Sequence, residues 1–249
     1  MIICAKPWPV IGMKNNIRIL KKLGYKMIRY DPNTTIYKMV REGTCLEIFK
    51  RDFEIVKKAG MSIEEFHCYA LDFKTFNERF NDVLEMMRLA DVNYYVQHIT
   101  EDMIKHKDEM NNLIKILKDN NIFFCIENEF VWEGFSAVCT SIEKIDEVLK
   151  IFPEAMFCLD TGHAYKIGVD PYELYKRYKE KIKVIHLHDF KDGQDHLVPF
   201  TGDLLKSKII EEIKQFKGPI VIELFLPAWE LYEEKYGEAM EMLSKNLLK

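Results

Sequence analysis

The sequence predicts a single (β/α)8 barrel domain spanning residues 1–249, and three observations support this α/β fold class. Short apolar runs recur eight times, and a polar turn and an amphipathic stretch follow most of them. A spacing of roughly 31 residues suits eight strand–helix units in one domain. Neither G-x-G-x-x-G nor G-x-x-x-x-G-K-[ST] occurs, which disfavours an open doubly wound sheet with a glycine-rich phosphate loop.

The predicted strands are almost uniformly apolar, as expected of parallel strands that are buried on both faces. In chain order they are Ile2–Ala5, Met27–Tyr30, Ile63–Cys68, Tyr94–His98, Ile122–Ile126, Met156–Leu159, Val184–Leu187 and Ile220–Leu224.

Helical periodicity fills the intervals between these runs, with apolar residues three and four positions apart. The clearest sets are Leu46, Phe49, Phe53 and Val56; Phe76, Phe80, Val83 and Met87; Met110, Leu113, Ile114 and Leu117; and Ile142, Ile145, Val148 and Leu149. Thr140 with Glu143 predicts a capping box, and Asp170 before Pro171 predicts an N-cap followed by proline in the first turn.

The composition narrows the class of protein. Hydrophobic residues make up 48% of the chain, which excludes a disordered protein. The formal net charge of −4 disfavours a nucleic-acid partner, although a local basic patch would escape this count. No apolar stretch is long enough for a signal-peptide core or a membrane span, so we expect a cytoplasmic protein with no membrane partner.

The six cysteines are widely spaced and form no C-x-x-C pair. Several lie inside apolar runs, where reduced cysteine behaves as a small hydrophobic residue. We therefore expect free thiols that take no part in metal binding.

Histidines and carboxylates cluster at the ends of the predicted strands, which is where a barrel of this class places its active site. Six of the seven histidines lie at or just beyond a strand end: His67, His98, His163, His186, His188 and His196. Imidazoles and carboxylates that converge from several strands predict a divalent-metal site.

Three carboxylates strengthen this prediction. Glu127, Asp160 and Glu223 each follow three apolar residues, so each should point into or over the barrel mouth. Burying them together without a cation would cost several kcal/mol each. Of the two histidines that share a strand face, His186 still lies within its apolar run and is the better inner ligand, whereas His188 lies nearer the rim.

The motifs of the last four strands resemble the xylose isomerase-like TIM-barrel superfamily, which contains sugar-phosphate isomerases and epimerases as well as AP endonucleases of the endonuclease IV type. The matching segments are Glu127-Asn128, Asp160-Thr161-Gly162-His163-Ala164, His186-Leu187-His188-Asp189, Asp195-His196-Leu197 before Gly202, and Ile222-Glu223. The resemblance covers about half the chain, and His67 and His98 extend it more weakly.

For the isomerases and epimerases, the resemblance implies one divalent ion (Mn, Mg, Co or Zn) held by Glu127, Asp160, His186 and Glu223. The two glutamates would flank a sugar or sugar phosphate and exchange a proton with the carbon next to its carbonyl, through a metal-stabilised enediolate. His163 would contact a substrate oxygen. Whether the enzyme isomerises or epimerises stays open.

The alternative that the resemblance offers is an AP endonuclease with three zinc ions, for which His67, His98, His163 and His196 would supply the additional ligands. Two departures weigh against it. Position 194, where that pattern has an Asp, is Gln, and Asp195 is displaced by one residue. The stretches 70–74 and 99–103 carry Lys74 as their one basic residue, although phosphate contacts should dominate duplex binding. A second alternative is a catalytically silent barrel that binds a metal or a small ligand.

Substrate contacts are expected from His163, His188, Lys6, Trp8 and Trp132. Lys6 and Arg29 lie near strand ends and are candidates for binding a phosphate or carboxylate of the substrate. Phe200, which interrupts the glycine pattern usual in the isomerases, is expected to present an aromatic wall. We expect the last helix to divide its apolar face between the core and a subunit interface, which leaves a homo-oligomer open.

Overall fold

A computed structural model describes residues 1–32, 45–68, 72–131 and 137–248. The strands are β1 Ile2–Ala5, β2 Met27–Tyr30, β3 Ser62–Cys68, β4 Tyr94–Gln97, β5 Phe123–Glu127, β6 Met156–Asp160, β7 Ile182–Leu187, β8 Asp189–Lys191, β9 Gln194–Leu197 and β10 Pro219–Ile222. The α-helices are α1 Gly12–Lys22, α2 Cys45–Lys58, α3 Phe73–Ala90, α4 Glu101–Lys105, α5 Lys107–Asp119, α6 Ile142–Ile151, α7 Thr161–Lys166, α8 Pro171–Tyr178, α9 Ile209–Gln215 and α10 Tyr232–Asn246.

Eight of the strands form a closed parallel barrel in the order β1-β10-β7-β6-β5-β4-β3-β2, which confirms the predicted (β/α)8 fold. The remaining two, β8 and β9, form an antiparallel hairpin directly after β7. Since the hairpin segment is polar and short, its sequence carried no strand prediction. None of the described helices is long and apolar enough to cross a membrane.

The apolar core has two parts. The larger part lies between the outer face of the barrel and the helices, with side chains such as Phe49, Phe124 and Leu243 fully buried there. The smaller part fills the barrel interior with side chains of modest size from six strands: Cys4, Val96, Cys125, Cys158, Val184 and Val221. The three cysteines of this plug are buried thiols, as their apolar surroundings predict.

Two β-bulges set which side chains face the interior. Between β2 and β3 the register passes from Ile28↔Ile63 to Arg29↔Glu65, so that Glu64 is an extra residue. Between β6 and β7 it passes from Phe157↔Ile182 to Cys158↔Val184, which makes Lys183 extra. Each bulge shifts the alternation by one residue.

The predicted helix ends are confirmed in one case and corrected in the other. Asp170 caps α8 by accepting a hydrogen bond from the Tyr172 amide at 2.9 Å. At α6 the cap is Ser141, whose hydroxyl accepts from the Lys144 amide at 3.3 Å, and Thr140 lies one residue too early. The predicted capping box was therefore misplaced by one position.

Helix α10 closes the barrel against α1. Four of its residues are buried in the core: Tyr232, Tyr236, Ala239 and Leu243. They form the core-facing part of the apolar face that the sequence predicts. The predicted subunit interface on this helix stays a prediction.

Candidate metal centre and active-site pocket

A layer of polar side chains lies directly above the apolar plug, at the carboxyl ends of the barrel strands. Every member of this layer is at most 5% exposed: Arg29, Glu65, His67, His98, Glu127, Asp160, His186 and Glu223. Ionisable groups are rarely buried unless they are paired or bind a metal. The layer is therefore the candidate functional centre of the barrel.

The four residues predicted to bind a metal come together in this layer. Glu127, Asp160, His186 and Glu223 each offer one ligand atom, and these atoms all lie within 4.8 Å of one another. The Nδ1 atom of His186 lies 3.0 Å from Glu127 Oε1, 3.3 Å from Glu223 Oε2 and 3.9 Å from Asp160 Oδ2. Three carboxylates and one imidazole form a donor set that fits a divalent cation.

The electrostatics of the layer keep the two glutamates ionised. Burial alone would raise the pKa of the Glu127 carboxyl, but His186 and His98 outweigh burial and hold that pKa well below its usual range. Burial would likewise raise the pKa of Glu223, but Arg29 and Lys6 outweigh burial and hold this pKa well below its usual range. Both side chains thus present the charged form that binds a cation.

The second oxygen of Glu127 faces two of the additional histidines. The Nε2 atoms of His67 and His98 each lie 3.0 Å from Glu127 Oε2. The other ring nitrogen of His98 lies 2.8 Å from Glu129 Oε1. Burial would lower the pKa of His98, but Glu129 and Glu127 outweigh burial and raise it to about 10.

The histidines on the other side of the layer are less open to a ligand. His188 donates from Nε2 to the Asp160 carboxylate at 2.9 Å and accepts the His196 backbone N–H at Nδ1, at 2.8 Å. Its ring also lies against Gly162, so close that a Cβ atom added at this glycine would be 2.1 Å from the ring. The nitrogens of His163, His188 and His196 still lie within 4.8 Å of one another.

The aspartate of the His-Leu-His-Asp motif organises the chain beyond the hairpin. Asp189 is fully buried and accepts hydrogen bonds from the amides of Phe190, Gly202 and Leu204, at 2.7 to 2.9 Å. Phe200 is packed inward at 1% exposure, so the expected aromatic wall from this residue is wrong. These hydrogen bonds to Asp189 hold the segment that contains Phe200 against the barrel.

A cavity of about 510 Å³ opens above the four candidate metal ligands. Its lining consists of Lys6, Trp8, His98, Glu127, Glu129, Phe130, His163, Asp195, His196, Glu223, Leu224 and Phe225. Three predicted substrate contacts, Lys6, Trp8 and His163, are therefore at the cavity. His188 is fully buried and does not line it, and Trp132 lies outside the described residues.

Three charged residues in or next to the layer have contacts that the sequence did not reveal. Arg29, a candidate for binding a substrate anion, is fully buried on Glu223 and Asp31 instead. Lys6 also binds the protein's own Glu223, at 2.7 Å. Glu65 was missed because strict alternation along β3 would place it on the same outer face as Ile63, and the bulge at Glu64 has no local signature.

The family follows from a comparison with known sequences. A family model described as "Xylose isomerase-like TIM barrel" matches residues 13–246. The chain belongs to the xylose isomerase-like TIM-barrel family. This confirms the resemblance noted in the sequence, and it extends that resemblance from half the chain to nearly all of it. No curated protein gives a significant match to the sequence.

Several solved structures share the fold of this chain. A probable 3-DHS dehydratase, AsbF, from Bacillus anthracis superposes with a TM-score of 0.75 at 12% identity, covering 98% of each chain. D-psicose 3-epimerase from Clostridium cellulolyticum H10, solved with D-tagatose, gives 0.73 at 12% identity and the same coverage. The IOLI protein with a bound zinc atom gives 0.71 at 18% identity, covering 99% of this chain and 96% of the other.

Proposed function

We propose that this protein is a divalent-metal-dependent sugar or sugar-phosphate isomerase or epimerase. The observation that carries the proposal is the convergence of Glu127, Asp160, His186 and Glu223 at the floor of a cavity large enough for a monosaccharide. A divalent ion held by these side chains would supply Lewis acidity to a carbonyl and the hydroxyl beside it. The zinc of the IOLI structure and the epimerase relatives support this choice.

Glu127 and Glu223 are the two carboxylates of this set that also line the cavity, so they are the groups placed to move a proton. Despite burial, the pKa of both carboxylates is held low, that of Glu223 by Arg29 and Lys6 and that of Glu127 by His186 and His98. The Glu127 carboxylate is surrounded by imidazoles, which take up or return a proton more readily than a guanidinium does. Glu127 is therefore the stronger candidate for the base.

The walls of the cavity fit a sugar. Trp8, Phe130 and Phe225 offer apolar faces on which the C–H face of a sugar ring can pack. His163 at the cavity has Nδ1 held by the Asn128 carbonyl at 3.1 Å, which leaves Nε2 for a substrate oxygen.

Solvent-proton exchange tests this function. Protein loaded with Mn2+ or Zn2+ is incubated in D2O with a panel of ketoses and aldoses, each with and without a phosphate, and deuterium at the carbon next to the carbonyl is followed by NMR. We expect incorporation that a chelator abolishes and that Glu127→Gln and Glu223→Gln each reduce by about 100-fold or more. No exchange with any member of the panel would contradict the proposal.

A multinuclear phosphodiesterase of the endonuclease IV type is the second candidate, because His67 and His98 converge on Glu127 Oε2 and offer a second ion position. The third position is less complete, since both nitrogens of His188 are engaged within the protein and position 194 is Gln. Metal analysis separates the candidates. One ion per chain favours the isomerase or epimerase, and three zinc ions with cleavage of abasic-site DNA would establish the phosphodiesterase. Purified protein that binds no metal would instead favour the silent barrel.

A further inference from the structure

Glu65 is a fully buried carboxylate on β3, in the same polar layer as the four residues of the proposed metal site. Its Oε1 atom lies 3.0 Å from Nε2 of His186. Its Oε2 atom is buried with no hydrogen-bond partner among the described residues. Glu65 does not line the cavity, so contact with a substrate does not explain a charge at this depth.

The backbone turns Glu65 inward by means of the bulge at Glu64. Ile63 pairs with Ile28 and belongs to the outer core, and the extra residue then brings Glu65 opposite Arg29 with its side chain inside the barrel. Bulges commonly re-aim a side chain next to an active site.

The contact decides which nitrogen of His186 is available to a cation. A neutral imidazole carries a proton on one nitrogen and a lone pair on the other, and a metal takes the lone pair. Nε2 faces Glu65, whereas Nδ1 faces Glu127, Glu223 and Asp160. Metal-binding histidines usually donate their other N–H to a carboxylate or carbonyl, which fixes the ring and its tautomer.

We propose that Glu65 is a positioning residue, which accepts the Nε2–H of His186 and so presents the Nδ1 lone pair to the divalent ion. This inference rests on the proposed metal site and assigns Glu65 no contact with the ion or the substrate. It makes Nδ1 the metal-binding atom of His186.

Two substitutions and one matched control test the proposal. Glu65→Met keeps a similar side-chain volume but cannot accept the hydrogen bond, whereas Glu65→Gln can still accept it through the amide oxygen. Glu64→Gln removes the neighbouring charge at the bulge, where Glu64 accepts a hydrogen bond from the Ser62 hydroxyl at 2.6 Å. Affinity for Mn2+ and Zn2+ is measured for each purified protein by competition with a chelator.

We expect Glu65→Met to weaken metal binding about 10- to 100-fold, as removal of such an outer partner typically does. Glu65→Gln should stay within a few-fold of wild type, and Glu64→Gln should be unchanged. Equal affinity for Glu65→Met and wild type would overturn the inference while leaving the metal site intact. Wild-type protein that binds no divalent ion would instead overturn the proposed function.

A spectroscopic readout does not depend on affinity or on the folding of the Glu65 variants. In wild-type protein loaded with 113Cd2+ and labelled with 15N-histidine, we expect the cadmium coupling of His186 at Nδ1 and a protonated Nε2. The resonances are assigned with His186→Asn. A coupling at Nε2 would overturn the proposal even if Glu65→Met failed to fold.

Discussion

The guanidinium of Arg29 binds both carboxylate oxygens of Glu223 inside the barrel, at 2.5 Å from Nη1 to Oε2 and 3.1 Å from Nη2 to Oε1. Arg29 also binds Asp31, at 2.8 Å from Nε to Oδ1. A residue proposed to bind the metal is therefore already neutralised by a cation that belongs to the protein. Arg29 and a divalent ion should share the task of compensating the Glu223 charge.

Replacing Arg29 with Met should make the stability of the protein depend on metal. Removing one partner of a buried ion pair costs about 3–5 kcal/mol, because the other charge stays buried without compensation. We expect that loss in the free energy of unfolding of metal-free protein, measured by urea denaturation. Saturating Mn2+ should recover part of it, because an ion at the proposed site would bind Glu223 but not Asp31.

Arg29→Lys is the matched control, since it keeps a positive charge but loses the bidentate geometry. It should lose less stability than Arg29→Met, and its loss should respond less to Mn2+. An Arg29→Met penalty that Mn2+ leaves unchanged would argue that Arg29 and the ion do not share Glu223.

Substitutions at Glu127 and Glu129 should distinguish between two candidate metal sites. Glu127 belongs to the set with Asp160, His186 and Glu223, whereas Glu129 groups with His98 and Glu127. We expect Glu127→Gln to weaken binding by more than the roughly 100-fold upper range for an outer partner, since it removes a ligand. Glu129→Gln should retain one ion per chain after gel filtration, as counted by elemental analysis. Loss of the ion in Glu129→Gln would indicate that the ion is held by the group that contains His98.

Most of the barrel could be predicted because its strands are buried on both faces. Such strands read as short, uniformly apolar runs, and β1 and β2 have the predicted bounds. The run predicted as Ile220–Leu224 is β10 at Pro219–Ile222, since the chain leaves the sheet where Glu223 turns to the cavity. The convergence of Glu127, Asp160 and Glu223 was also predictable, because a carboxylate directly after an apolar strand has few other places to lie.

The contacts between side chains within the site could not be predicted, because they depend on strand register and on residues from strands distant in the sequence. Arg29 and Glu223 are 194 residues apart in the sequence. They come into contact because one strand, β1, lies between β2 and β10 in the closed barrel. Glu65 faces inward through a one-residue bulge with no distinctive residue type. His188 follows the predicted strand face, yet the hairpin β8–β9 covers it and engages its Nδ1.

The start of α3 gives a prediction that depends on pH. Asp72 caps this helix by accepting the Thr75 amide at 2.8 Å, and this hydrogen bond lowers the pKa of the Asp72 carboxyl. Asp72→Ala should lose about 1 kcal/mol of stability near neutral pH. Because its pKa is lower in the folded state, the ionised Asp72 carboxylate stabilises the protein at pH values above its unfolded pKa of about 4. This stabilisation is lost as the pH falls through the folded pKa.

The difference between wild type and Asp72→Ala in urea denaturation should therefore shrink on acidification below about pH 4. Asp72→Asn keeps a capping oxygen without a titrating charge, so its stability relative to Asp72→Ala should stay level with pH. A difference between wild type and Asp72→Ala that grew on acidification would contradict the assigned role.

Two glycines should respond to alanine in opposite directions. At Gly162 a Cβ would lie 2.1 Å from Cε1 and 2.2 Å from Nδ1 of His188, which is fully buried and holds Asp160. We expect Gly162→Ala to lose about 1–3 kcal/mol of stability through overpacking and to weaken metal binding by displacing Asp160. At Gly237 in α10, a Cβ would meet its nearest neighbour, Leu23 Cδ2, at 3.4 Å.

Gly237→Ala should therefore gain about 0.5–1 kcal/mol, the usual benefit of alanine inside a helix, and leave metal affinity unchanged. Thermal unfolding and metal titration of the two variants side by side would measure both effects. Because both substitutions add one methyl group, a difference between them reports the surroundings of each glycine. Equal metal affinity in the two variants would show that His188 can shift without moving Asp160. It would contradict the role that we assign to the His188 ring in positioning Asp160.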